Sequence, residues 1–111
     1  MDKLDHYRQI IQEILTEHSQ IKPVYGEIQM KLMFDAKRDR YQLLRTGWLQ
    51  ERRVYGTLIH IDIEGNKLWI QYDGTEVGVA HELVEQGIPP EDIVLAYHSP
   101  DLRPYDGFAV S

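Results

Sequence analysis

"HIDIEGNKLWIQYDGTE", residues 60–76, decides how this chain is read. Isoleucines at 61 and 63 alternate with His60, Asp62 and Glu64, and Leu68 and Ile70 alternate with Lys67, Trp69 and Gln71. A period of two on each side of a two-residue loop is the pattern of a β-hairpin with one buried face. The loop is Gly65-Asn66, with glycine first, which predicts a type II′ turn. From that turn Glu64 faces Lys67, a favourable ion pair, and Ile63 faces Leu68. Ile61 then faces Ile70 and Ile59 faces Tyr72, while Asp62 faces Trp69 and His60 faces Gln71 on the other side. A slip of one residue would turn the isoleucines to water, so the hydrophobic pattern fixes the register.

Downstream, "DGTE" ends the strand. Asp73 followed by Glu76 predicts a helix start, with Asp73 as N-cap and Glu76 at the third position. The helix runs to about Gln86, buries Val77, Ala80, Leu83 and Val84, and stops at Gly87 in a left-handed conformation. "IPPEDI" reads as a turn with Pro90 opening one short helical turn, and "IVLAY" as a last strand. Upstream, "EIQMKLMFD" alternates Ile28, Met30, Leu32 and Phe34 with Glu27, Gln29, Lys31 and Met33. "YQLLRTGWLQ" and "VYGTLIHIDI" follow as strands, separated by the charged breaks "AKRDR" and "ERR". Residues 3–19 place Leu4, Tyr7, Ile11, Ile14, Leu15 and His18 on one helical stripe, with Asp2 or Asp5 at the positive end of the dipole. Residues 21–26, with Pro23 and Gly26, form a connector. These elements predict a single α+β domain over residues 1–111, a two-layer sandwich of an antiparallel meander sheet with helices packed on one face.

Composition narrows the classes of function. The 111 residues are 42% hydrophobic and 27% charged, which suits one globular domain with a real core. No apolar run approaches the ~18 residues of a membrane span. "MDKLDHYRQ" lacks the character of a targeting peptide, so a cytoplasmic protein is expected. The sequence contains no cysteine, which removes disulfides, thiolate ligands and cysteine nucleophiles. Twelve Lys and Arg against eighteen Asp and Glu give a formal charge of −6, unfavourable for non-specific binding to a polyanion.

His60, Asp62 and Glu64 project from one strand face about 6.5–7 Å apart. A metal or acid/base site built on them needs a further ligand, for which Gln71 and Asp73 are the neighbours. Lys67 neutralises Glu64 and Asp73 caps a helix. The residues therefore read as the solvent face of a hairpin, ahead of a local polar network of His60, Asp62, Gln71 and Asp73, and ahead of a small metal-dependent nuclease or hydrolase using His60 and Asp62. Among the other histidines, His18 on the helical stripe is expected partly buried against a backbone partner. No phosphate loop, metalloprotease helix pair or nucleophile elbow occurs, and no cofactor is implied. Basic residues cluster as Lys37, Arg38 and Arg40 and as Arg52 and Arg53, candidates for partner or nucleic-acid contact. They fall in consecutive turns of a meander and so at opposite ends of the sheet. The tail "HSPDLRPYDGFAVS" ends in apolar Phe108, Ala109 and Val110, where free ends are usually polar. A homodimer is expected in which this tail packs on or near the partner, with Arg103, Tyr105, Phe108 and Val110 at the interface. Docking within the chain is the alternative.

At "LIHIDI", "LWIQYDGTE" and "IPPEDIVLAYHSPDLRPYDGFAVS" the chain resembles the XisI family, the fdxN element excision controlling factor proteins of cyanobacteria. The amphipathic first helix, "LLRTGW" and the closing "FAV" also stand in family order. Gly65-Asn66, Ser99 and Pro104 depart from the usual family residues. The resemblance implies a non-enzymatic factor that assists a site-specific recombinase together with a XisH companion protein, with weak or indirect contact to DNA.

Overall fold

The computed structural model describes residues 2–21 and 26–111. Helix α1 spans Lys3–Ser19, and the Asp2 carboxylate caps it by accepting from the Asp5 amide at 2.8 Å. Tyr7, Ile10, Ile11, Ile14 and Leu15 are its buried stripe. Four strands follow: β1 (Glu27–Asp35), β2 (Arg40–Leu49), β3 (Arg52–Glu64) and β4 (Lys67–Asp73), each antiparallel to the one before. Helix α2 spans Val79–Glu85, a 3-10 turn covers Pro90–Asp92, and β5 spans Ile93–Leu95. The sheet order is β1-β2-β3-β4-β5. The part of the predicted connector at residues 22–25 lies outside the described residues.

The meander is as the alternation predicts, and the last strand adds a parallel pairing. β5 lies beside β4 with Leu68, Trp69 and Ile70 against Ile93, Val94 and Leu95. A parallel neighbour needs a crossover, and α2 with the 3-10 turn supplies it. The sheet is therefore mixed. One apolar cluster joins α1 and α2 to the inner face: Tyr41, Leu43, Ile59, Ile61, Leu68 and Ile70 meet Ile11, Leu15, Val79 and Leu83. Truncating one of these fully buried aliphatic side chains to alanine costs about 2–5 kcal/mol.

The hairpin that anchors the register has a different turn and a bulge. Gly65 and Asn66 both have positive φ, 56° and 65°, which is type I′ and not type II′. The first four pairs beyond the turn match the alternation: Glu64–Lys67, Ile63–Leu68, Asp62–Trp69 and Ile61–Ile70. Gln71 is then the extra residue of a β-bulge, so His60 faces Tyr72 and Ile59 faces Asp73. The bulge reverses the faces of Tyr72 and Asp73. Asp73 lands on the helix side, where its Oδ1 accepts from the Thr75 amide at 2.9 Å and its Oδ2 from the Val79 amide at 2.7 Å.

Asp73 thus holds the first turn of α2 from six residues away, and the N-cap position belongs to Gly78 at φ 91°. The helix starts later than the Asp73–Glu76 spacing implies, because Thr75 and Gly78 first close a separate turn. Val77 is consequently exposed and Val84 borders solvent, contrary to the predicted helix face. Gly87 does terminate the helix in the left-handed region, at φ 100°.

Candidate functional site

The face of the sheet opposite the helices carries a cross-strand row of Arg40, Asp62 and Trp69, direct neighbours on β2, β3 and β4. Asp62 is only 6% exposed. Its Oδ1 is 2.8 Å from His60 Nε2, and Arg40 Nε stands 3.8 Å away. Arg40 also reaches Glu64 at 3.4 Å. The solvent-face reading of this strand is therefore corrected: His60 and Asp62 belong to a local polar network closed by Arg40. A buried carboxylate demands such partners, since desolvation without them costs several kcal/mol.

The other members assumed for that network do not join it. Gln71 is displaced by the bulge, and Asp73 lies on the opposite face. Lys67 faces Glu64 in register but donates to the backbone oxygen of Ser111, so Arg40 is the cation beside Glu64. Among the described residues no three His, Asp or Glu side chains converge as a metal-holding group. His18 bonds a side chain and not the backbone: its Nε2 is 2.8 Å from a Glu82 carboxylate oxygen, which ties α1 to α2.

The basic clusters sit at opposite ends of β2, roughly 30 Å apart at ~3.3 Å per residue. Arg38 pairs with Asp35 at 2.9 Å within its own turn. Arg53 lies over the rings of Trp48 and Tyr55, with its guanidinium 5.4 Å and 5.9 Å from their centroids. This stack was not singled out from the sequence. Its signal is that Trp48 and Tyr55 are exposed aromatics flanking a basic turn. Lys37 and Arg52 have no carboxylate within ion-pair distance among the described residues.

Charge is divided between the layers. Residues 2–21 and 76–92, which hold both helices, contain nine carboxylates and two cations, whereas residues 26–73, which hold β1–β4, contain seven carboxylates and eight cations. The net acidity therefore resides in the helical layer, and the sheet is close to neutral. A polyanion is repelled from one side of the molecule and tolerated on the other.

The tail docks on its own chain. The Ala109 amide donates to the Ile93 carbonyl at 2.8 Å, placing Ala109 as a parallel bridge beside Val94, and Phe108 packs on the core. Arg103 donates to the carbonyls of His98, Ala96 and Val110, and its guanidinium lies over Trp69. Asp106 accepts from the Phe108 amide and meets His98 Nδ1 at 3.2 Å. Tyr105, 87% exposed, and Val110 point to solvent. Phe108 and Arg103 thus both make contacts within their own chain.

The family model described as "XisI protein" matches residues 1–110. The chain belongs to the XisI family. A solved XisI-like protein from Anabaena variabilis ATCC 29413 is 34% identical, with a TM-score of 0.91 over 98% of this chain and all of the other. The fdxN element excision controlling factor XisI from the same organism is also 34% identical, with a TM-score of 0.85 over 99% of this chain and all of the other. No curated protein matches the sequence. No helix among the described residues is long and apolar enough to cross a membrane.

Proposed function

We propose that this XisI-family chain is a non-enzymatic accessory factor in the cytoplasm that controls site-specific excision of a DNA element, acting beside a recombinase and a XisH-like companion protein. The observation that carries the reading is full-length kinship with a protein named as an fdxN element excision controlling factor. A cyanobacterial source fits the Anabaena relatives. The action is through protein contact, with DNA approached weakly or through the partners. Two features support that mode. Arg38, Arg40 and Arg53 each have a partner within the chain, Asp35, Glu64 and the Trp48 and Tyr55 rings, that competes weakly with a phosphate for them. The exposed Trp48, Arg53 and Tyr55 are the residue types that anchor protein interfaces.

The test is co-expression of the chain with the companion encoded beside it, followed by affinity capture and fluorescence anisotropy on labelled DNA. The expected result is a stoichiometric complex, and DNA affinity for the chain alone weaker than about micromolar at physiological salt. Failure to capture the companion, or tight sequence-selective binding by the chain alone, contradicts this mode of action.

A further inference from the structure

The two edges of the sheet are treated differently. At the β5 edge the chain covers itself, because Ala109 pairs beside Val94. At the other edge β1 presents nine residues whose outer side pairs with no strand among the described residues. Its second half, Leu32, Met33 and Phe34, is a run of three exposed apolar side chains, with Met33 56% exposed. Natural edge strands of this length are normally interrupted by proline, a bulge or several charges. This one carries only Lys31 and Asp35 around the apolar run.

Grooves flank that run on both faces of the sheet. On the helix side a groove of about 380 Å³ lies between α1 and β1, bordered by Gln12, Glu13, Thr16 and Phe34. On the open side a second, of about 340 Å³, is bordered by Leu32, Met33, Arg40 and Gln42. An unpaired edge with a groove above and below it has the shape that accepts an added strand, with alternate side chains entering the two grooves.

The geometry points to a second copy of this chain as the occupant: we infer that two copies pair their β1 strands antiparallel across a two-fold axis at Met33. The sequence of the edge selects the register. An axis at Lys31 sets Lys31 against Lys31 and Glu27 against Asp35, which repel. An axis at Gln29 matches Glu27 with Lys31 but leaves Leu32, Met33 and Phe34 uncovered. An axis at Met33 sets Lys31 against Asp35 twice, Leu32 against Phe34 twice, and Met33 against itself. Charges then meet opposite charges and the exposed apolar run is buried by its own copy, the self-complementarity that an isologous contact requires. Leu32 and Phe34 extend the helix-side apolar surface, while Lys31, Met33 and Asp35 line the open face. This inference stands independently of the excision role, since it rests on β1 alone.

The experiment uses the full chain, its mass measured by light scattering after gel filtration. The native protein is expected to have twice the chain mass. Met33→Lys, a change at an exposed position, is expected to give a monomer with an unaltered circular dichroism spectrum. Lys31→Glu, which turns both charge pairs into repulsions, is expected to weaken dimerisation by about tenfold. Because the chain has no cysteine, Met33→Cys gives a single thiol whose copy lies directly opposite, within disulfide reach. It is expected to cross-link to a dimer on mild oxidation, and Gln29→Cys is not. A monomeric native protein, a dimer that survives Met33→Lys, or cross-linking at Gln29→Cys in place of Met33→Cys would overturn the inference.

Discussion

At the scale of single residues, the carboxylates that join the layers set the response to pH. Asp39 receives the Arg8 guanidinium at 2.8 Å, and this bond, aided by the Tyr41 hydroxyl against the opposing effect of burial, holds its carboxyl below the usual range. For Asp92 burial pushes upward, but Lys3 and the Tyr7 hydroxyl together outweigh it and the pKa falls. A carboxylate depressed in the folded state contributes stability that is present above its unfolded value, near 3.9, and is lost as pH falls through the folded value. At the alkaline end, burial and the Asp39 carboxylate push Tyr41 up to about 12, and burial with Asp92 raises Tyr7 as well. The unfolded chain then ionises its tyrosines first, and stability falls as pH rises above about 10. Urea melts across the pH range should show a plateau between roughly pH 4 and pH 10, with losses at both ends. Asp39→Asn should flatten the acid limb. An acid limb unchanged by that substitution would remove Asp39 from the account.

The same scale shows what the sequence could and could not disclose. The face assigned to Ile61, Ile63, Leu68 and Ile70 follows from alternation, and all four are buried. Asp62 alternates with them and so reads as solvent-facing, yet it is buried, with His60 and Arg40 against its carboxylate. Alternation gives the side of the sheet, and burial depends on what neighbouring strands lay over it. Asp73 carried a helix-start signal that was correct in purpose and wrong in geometry. Replacing it with alanine removes acceptors for Thr75 and Val79, and should cost about 1–2 kcal/mol, lowering Tm by roughly 5 °C in a calorimetric scan. A change below one degree would mean that the carboxylate does not hold α2.

At the scale of elements, the ends of α1 and β1 were legible because period and punctuation agreed there. The parallel direction of β5 was not, since a three-residue apolar run records burial without direction. The bulges were hidden for a related reason. Two register shifts flank Ile59 of β3, one at Leu58 opposite Leu43 and Leu44 of β2 and one at His60–Ile61 opposite β4, and bulges leave no periodic trace. Gly47 marks another local demand. Its φ is 153°, and a Cβ there would stand 2.0 Å from the backbone oxygen of Glu27. Gly47→Ala should therefore push β1 away at its first residues and cost about 2 kcal/mol or more, read by thermal melting, with faster amide exchange in residues 27–29 as the local signature. Exchange that quickens only in α1 would contradict this placement.

At the scale of the whole molecule, an acidic helical layer backs a near-neutral sheet whose open face carries Trp48, Arg53, Tyr55 and the Arg40–Asp62–Trp69 row. The fold class was legible because the apolar alternation of the first four strands and the stripe of α1 agree with the observed layers. A working surface was not, because a contact site made from exposed residues on separate strands has no spacing of its own in the sequence. The excision role is the central claim, and an excision assay in cells tests it most directly. A reporter element flanked by recombinase sites is introduced with the recombinase and the companion, and excised product is counted with and without this chain. Excision should require the chain, and the His60→Ala, Asp62→Asn double variant, checked for folding, should support it to within about twofold of the native level, well under 1 kcal/mol on a rate. Excision that proceeds equally without the chain would contradict the accessory role, and its loss in a folded double variant would place His60 and Asp62 in the working surface.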